Sequence, residues 1–156
     1  MQSHSSIGHV HLKVSDLERS VEFYTKILGF DLSTRFGDQA AFLSFGGYHH
    51  HLGLNTWESE GGRPPAKGST GLYHFAILLP DRQALGASIR RLRDHQWPID
   101  GAADHGVSEA VYLSDPDGNG VELYVDRPKD AWPKDEQGHV TMYTRSLDLQ
   151  ALMDLA

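Results

Sequence analysis

Three consecutive histidines, His49, His50 and His51, stand in the stretch GGYHHHLGLN at residues 46–55, and two more, His9 and His74, open two similar runs, GHVHLKV and LYHFAIL. Imidazole ligates metals and changes its charge near neutral pH, so the placement of these rings decides what chemistry the chain can do. Neighbouring side chains on a strand point to opposite faces. On the first run His9, His11 and Lys13 alternate with Val10, Leu12 and Val14; on the second His74 alternates with Phe75, Ile77 and Leu79. Further on, VELYV sets Glu122 and Tyr124 against Val121, Leu123 and Val125. Aligning FLSFGG with YLSDPDG on the shared Leu-Ser, without a gap, matches Phe42 with Tyr112 and Leu52 with Glu122. The same parity puts His50, Leu52 and Leu54 on the face of Glu122, with His49 and His51 opposite. His9, His50, His74, Tyr112 and Glu122 are therefore expected on one concave sheet surface. One inserted residue at the FGGY turn would exchange His50 for His49 or His51. Two imidazoles and one carboxylate are the ligand set of non-haem Fe(II), leaving room for an organic chelate and O2; Mn(II), Ni(II) and Zn(II) take the same donors. A lone histidine on a strand is more often a satisfied interior polar group, and Glu122 alone would suit a solvated edge. Histidine at the same place in both opening strands is harder to attribute to packing, which would favour Val or Ile.

The elements that position these residues are written twice. HVHLKVSDLERSVEFYTKILGF and HFAILLPDRQALGASIRRLRDHQW each begin with His, pass through an apolar strand and reach an Asp seven residues on, Asp16 and Asp81. Each then turns helical. Ser15 with Glu18 reads as a capping box, Leu17, Val21, Tyr24 and Leu28 as one apolar stripe, and Gly29 as its stop. In the second copy Pro80 and Asp81 open a helix with the stripe Leu85, Ile89 and Leu92. Three strands are predicted after each helix, at roughly 30–36, 39–45 and 48–56, then 98–104, 108–114 and 120–126. Each module thus reads βαβββ, module one at 7–57 and module two at 72–126, joined by the Gly- and Pro-rich linker 58–71. The fold class is α+β: two βαβββ modules in a single incomplete-barrel domain at 7–126, with tails at 1–6 and 127–156, the second ending in a short helix.

The totals narrow the function classes. The chain has 156 residues, a formal charge of −7 and no cysteine. The negative charge argues against nucleic acid or an acidic membrane as partner, and thiolate metal sites and disulfides are excluded. No apolar run reaches spanning length and MQSHSSIGHV has no signal-peptide core, so a cytoplasmic protein is expected.

The chain resembles the vicinal oxygen chelate superfamily of glyoxalases, fosfomycin- and bleomycin-resistance proteins and extradiol dioxygenases. The metal positions of that superfamily match GHVHLKV at His9, LYHFAI at His74 and GNGVELY at Glu122. Within it, the type I extradiol (catechol 2,3-) dioxygenase signature is met in register by ADHGVSEAVYLSDPDGNGVE, with His105, Val111-Tyr112, Asp115-Pro116, Gly118 and Glu122; Ala103 departs from the pattern's first position. AAFLSFGGYHHHLGL is similar to the family segment that carries a further histidine, here His50. The resemblance implies that His9, His74 and Glu122 hold iron, that His50 acts as acid and base, and that His105 and Tyr112 hydrogen-bond the substrate oxygens. Phe42, Leu52 and Leu54 would form an apolar wall for a planar ring, with His11 also binding substrate. The implied partners are a small aromatic diol and O2. Only one duplicated domain is present where many such enzymes have two, and covered sheet edges call for a homodimer or higher oligomer. The rival readings are a glyoxalase-like lyase or isomerase, which wants a second carboxylate from module one, and a metal-free protein that sequesters an aromatic drug.

Overall fold

The computed structural model describes residues 5–156; positions 1–4 of the expected N-terminal tail lie outside them. The chain divides into two compact units, one running to Gly71 and taking in Asp115–Gly118, the other made of Leu72–Ser114 and Asn119–Ala156.

Unit one contains β1 (Val10–Lys13), α1 (Leu17–Glu22), a wider π-helical turn at Phe23–Ile27, β2 (Asp31–Phe36), β3 (Ala40–Ser44) and β4 (Leu52–Asn55). The sheet order is β1-β4-β3-β2, with β1 parallel to β4 and the other pairs antiparallel. Leu12, Val14, Leu43, Leu52 and Leu54 bury one sheet face among Leu17, Val21, Phe23 and Tyr24 of the helical segment. That is the expected alternation on β1; of the expected helix stripe Leu17, Val21 and Tyr24 are buried, Leu28 is only half-buried, and Phe23 joins the core because the chain widens to a π-helical turn there. The expected capping box does not form. Asp16 is the cap, its carboxylate accepting from Arg19 N at 3.0 Å. Ser15 is drawn away because its N–H and hydroxyl both donate to the Asp117 carboxylate and its oxygen accepts from the Arg19 guanidinium, so that oxygen does not accept from the helix-end N–H groups. Glu18 does not reach back to the cap; it pairs with Arg35 through both oxygens. Gly29, at φ +84°, stops the helix in the left-handed conformation that favours glycine.

Unit two contains β5 (His74–Leu78), α2 (Arg82–Asp94), β6 (Gly101–Asp104), β7 (Ser108–Ser114) and β8 (Gly120–Asp126). Its order, β5-β8-β7-β6, and its strand directions repeat those of unit one. Asp81 caps α2, and Leu85, Ile89 and Leu92 are buried under it. Each unit is βαβββ and the fold class is α+β. The C-terminal tail belongs to unit two: a 3-10 turn at Lys129–Ala131 leads to a short helix, α3 (Leu149–Met153). The helix α3 lies on α2 so closely that a Cβ on Gly86 would stand 2.0 Å from the Leu152 carbonyl oxygen. No helix among the described residues is long and apolar enough to cross a membrane.

One expected strand is much shorter than the sequence pattern suggests. In place of 48–56, β4 is Leu52–Asn55, and the three histidines precede it in irregular backbone.

Candidate functional site

In unit two, β5 and β8 run side by side in parallel and bring His74 and Glu122 together, with His74 Nε2 3.0 Å from Glu122 Oε2. Both side chains project from the sheet face opposite α2, because their neighbours Val121 and Leu123 are buried under that helix. Tyr112 on β7 sits directly across from Glu122 in the ladder, and its hydroxyl is 3.2 Å from Glu122 Oε1. His105 follows β6 and completes the row, with Nε2 2.8 Å from the Tyr112 hydroxyl.

The protons in this row can be assigned by elimination. The Tyr143 carbonyl oxygen only accepts, so His105 donates to it from Nδ1 at 3.0 Å. Neutral His105 then presents a lone pair on Nε2. Tyr112 has one proton and two acceptors, the nearer being His105. Burial, reinforced by the Glu122 carboxylate, pushes the Tyr112 hydroxyl up to about 12, so it remains a donor at neutral pH. Tyr143 lies in the tail, which no sequence motif singled out. The tail is held by paired backbone bonds of 3.0 Å between Asp104 and Arg145, and the Tyr143 ring would meet a Cβ on Gly106 at 2.7 Å.

In unit one, β1 and β4 are the counterparts of β5 and β8. His9 corresponds to His74 and is exposed, its ring centre 4.5 Å from that of His50. The His50 ring also packs edge-on to Phe42 at 5.0 Å. Burial first, and then His9 and His49, hold His50 below the ordinary histidine range. His49 shares a 2.8 Å hydrogen bond with His50 through their Nδ1 atoms. His51 stacks on Phe45 at 4.0 Å, away from the His9–His50 pair.

The ladder corrects the gap-free alignment of the two modules. Tyr112 pairs with Glu122, but Phe42 pairs with Gly53, so Gly53 and not Leu52 is the counterpart of Glu122. Leu43 meets Leu52, nine residues on, whereas Leu113 meets Val121, eight residues on: the first turn is one residue longer. Leu52 and Leu54 accordingly lie in the core at 1% and 0% exposure and are not an apolar wall. Counting back from Gly53 would have given the open face to His51. The ring contacts give it to His50, so the side-chain alternation breaks between His50 and Leu52.

His11 is the counterpart of Ala76 and lies across β4 from β3's Phe42, its ring flat over Gly53; a Cβ on that glycine would approach Nδ1 to 2.8 Å. Asn55 Nδ2 is 2.9 Å from His11 Nε2. Phe42 and Trp57 each stand 5.8 Å from the His11 ring. Burial, then His9, lower the His11 pKa from its ordinary value. Asn55 and Trp57 were not recognised from sequence, because neither lies on the alternating face pattern of β1. Among the described residues, no three His, Asp or Glu side chains come together in a group that could hold a metal ion; His74 and Glu122 stand as a pair.

The family model of the Glyoxalase/Bleomycin resistance protein/Dioxygenase superfamily matches residues 6–123. A catechol-2,3-dioxygenase of Bacillus subtilis is 45% identical over 150 residues, covering 96% of this chain and 52% of that protein. The chain thus spans about half the length of that relative. A metallothiol transferase, FosB, of Staphylococcus epidermidis is 30% identical over 143 residues, covering 89% of this chain and 96% of that protein. Among solved structures, a glyoxalase/dioxygenase from Nostoc punctiforme superposes with a TM-score of 0.66 at 22% identity, covering 81% of this chain and 94% of that one.

Proposed function

This chain belongs to the Glyoxalase/Bleomycin resistance protein/Dioxygenase superfamily, and on that footing we propose that it is an extradiol dioxygenase that opens a catechol-type ring with O2. The observation that carries the reading is the row His74–Glu122–Tyr112–His105, in which a nitrogen and a carboxylate donor stand 3.0 Å apart with a hydroxyl and an imidazole directly behind them. Two donors about 3 Å apart suit adjacent corners of an octahedron with bonds of about 2.1 Å, so these residues fit a divalent metal. The 45% identity to a catechol-2,3-dioxygenase supports the same substrate class.

In this reading His9, His74 and Glu122 would hold Fe(II), with Mn(II), Ni(II) or Zn(II) as substitutes. The ion would supply Lewis acidity and a common meeting point for the diol and O2. His50, kept neutral by its surroundings, takes a hydroxyl proton from the diol and later returns it. Tyr112, which keeps its proton at neutral pH, and His105, beside it at 2.8 Å, would hydrogen-bond the substrate oxygens. Phe42 packs against the ring of the diol. Both oxygen atoms of O2 enter the product, an acid bearing an aldehyde or ketone. A lyase or isomerase of the same superfamily would want a carboxylate from module one, and the position is Gly53, with the His11 ring over it. A metal-free drug-binding protein leaves the His74–Glu122 pair without a purpose. The reading keeps a cytoplasmic location and a homodimer; the exposed edge strand β2, with Leu32 and Phe36 open to solvent, supports the latter.

Anaerobic reconstitution with Fe(II), followed by an oxygen electrode and visible absorbance over a panel from catechol to 2,3-dihydroxybiphenyl, tests the proposal. One O2 consumed per diol with a yellow ring-opened product is expected. Iron-loaded protein that takes up no O2 with any catechol would sink it.

A further inference from the structure

We propose that His11, between Phe42 and Trp57, recognises a neutral hydrogen-bond acceptor carried on the substrate's ring, so that the preferred diol bears a ketone, aldehyde, ester or ether group. The inference rests on the dioxygenase reading and adds to it the chemical class of the ring substituent.

The assignment follows from which atoms are able to donate. The Trp57 backbone N–H can only donate, and it is 3.2 Å from Asn55 Oδ1. That contact fixes the Asn55 amide with its NH2 group toward His11 Nε2, at 2.9 Å. An amide NH2 can only donate, so Nε2 accepts and the neutral ring carries its proton on Nδ1. Asn55 is 7% exposed, so the amide that sets the tautomer is itself buried while the His11 ring remains open to a ligand. Nδ1 has no hydrogen-bond partner among the described residues. A histidine without such a partner interchanges its two tautomers freely; His11, though exposed, is held by Asn55 as a single N–H donor between two aromatic rings.

The frame selects the partner. Phe42 meets the His11 ring edge-on and Trp57 stands tilted to it, both at 5.8 Å, so the donor is bordered by flat apolar surfaces suited to an aryl ring. Trp57 is 53% exposed, leaving its face open to a ligand. The cation on the same face of β1, Lys13, is already 3.6 Å from Glu58, so a carboxylate substituent would meet no unpaired positive charge. An alkyl substituent would cover the N–H and leave it dry, which a site built around a donor rejects. His11 stands two residues along β1 from His9, about 6.6 Å away along the strand. This matches the scale of a catechol from its diol edge to a substituent on the far side.

The module-two counterpart has none of this. Ala76 lies beside Glu122 where His11 lies beside Gly53, so the recognition point exists on one sheet only.

The test compares 3,4-dihydroxyacetophenone, 4-methylcatechol and 3,4-dihydroxybenzoate as substrates of the iron-loaded protein. The ketone should exceed the methyl compound in kcat/KM by about tenfold or more, chiefly through KM. His11→Phe keeps the ring's shape and should bring that ratio near one while 4-methylcatechol is still turned over. Nitrogen-15 spectra of the histidines in the wild-type protein should show His11 protonated on Nδ1 and bare on Nε2. The opposite tautomer, equal kcat/KM for all three compounds, or a His11→Phe protein that keeps the preference would each overturn the inference while leaving the dioxygenase reading intact. If no diol is turned over, the dioxygenase reading fails and binding of the same compounds decides the inference: a ketone bound no more tightly than its methyl analogue overturns it.

Discussion

The two sheets have the same order and the same strand directions, yet they carry different chemistry at matching places. On sheet two the strand pair β5–β8 sets small Ala76 beside Glu122, and Tyr112 stands across from that carboxylate. On sheet one the pair β1–β4 sets His11 beside Gly53, and Phe42 stands across. Bulk and polarity have been exchanged between neighbouring strands. One sheet offers a carboxylate backed by a hydroxyl and an imidazole. The other offers an imidazole framed by aromatic rings. The lesson is that a duplicated module constrains position without constraining role. A glycine opposite a large ring on one copy and a carboxylate opposite a methyl group on the other fill similar space.

The tail enlarges the difference. Sheet two has its outer strand β6 extended by the 143–145 segment, whose carbonyl fixes the His105 tautomer. Among the described residues sheet one has no such cover, and all six residues of β2 are exposed.

The largest expected effect comes from removing the asymmetry at its strongest point. Glu122→Ala should leave Fe(II)-reconstituted protein with background metal content, measured by elemental analysis after desalting, while His49→Ala retains full loading. Adding Gly53→Glu and His11→Ala to Glu122→Ala transfers the carboxylate to the matching place on the other sheet, and partial recovery of metal is expected. Full loading of the Glu122→Ala protein would break the comparison.

A smaller effect is expected at the histidine run. His50→Ala should keep its metal and lose turnover by about 10²–10⁴-fold, the usual scale for a positioned acid and base. His49→Ala and His51→Ala should lose less than about tenfold, since neither ring packs on both His9 and Phe42 as His50 does. An inactive His51→Ala with a normal His50→Ala, in single-turnover assays, would move the open face back to the residue that plain alternation selects.

The smallest effect concerns the helices. The helix α2 buries only aliphatic side chains on its stripe, whereas the helical segment of unit one buries Tyr24, whose hydroxyl donates to Asp115 at 2.8 Å. Burial, and then the Asp115 carboxylate, push the Tyr24 pKa well above its ordinary value. A folded-state value above the unfolded one means the stabilisation is complete below about pH 10 and is lost as pH rises above it. Tyr24→Phe should cost about 1–2 kcal/mol at neutral pH in urea unfolding and should flatten the fall in stability seen by the wild type above about pH 10. An unchanged alkaline slope would remove Tyr24 as its source.

Much of the fold was legible in the chain as written. Apolar alternation on β1 and β8 and the stripe of α2 are local patterns that burial follows, while the β5 residues are at most half-buried and Leu28 drops out of the first helix stripe. Asp81 was legible as a cap because nothing else competes for it. Ser15 was not, because its competitor, Asp117, is 102 positions away. The signature residues Asp115 and Gly118 likewise look like motif elements in the sequence; in the structure Asp115 accepts from the Tyr24 hydroxyl and the Asp117 N–H, and Gly118 turns the chain at φ +82°.

By itself the sequence determined the duplication, the two opening histidines, the Glu122 and Tyr112 face and the family, since each is carried by spacing inside one strand or one motif. Only the tertiary structure decided the register between β3 and β4, and with it the exchange of Leu52 for Gly53. Side-chain parity propagates along a strand but not around a turn, where one extra residue reverses every face beyond it. The tautomers of His11 and His105 were also decided there. Each depends on a partner that only accepts or only donates, Tyr143 from the tail or Asn55 held by Trp57, and folding alone sets those groups beside the rings.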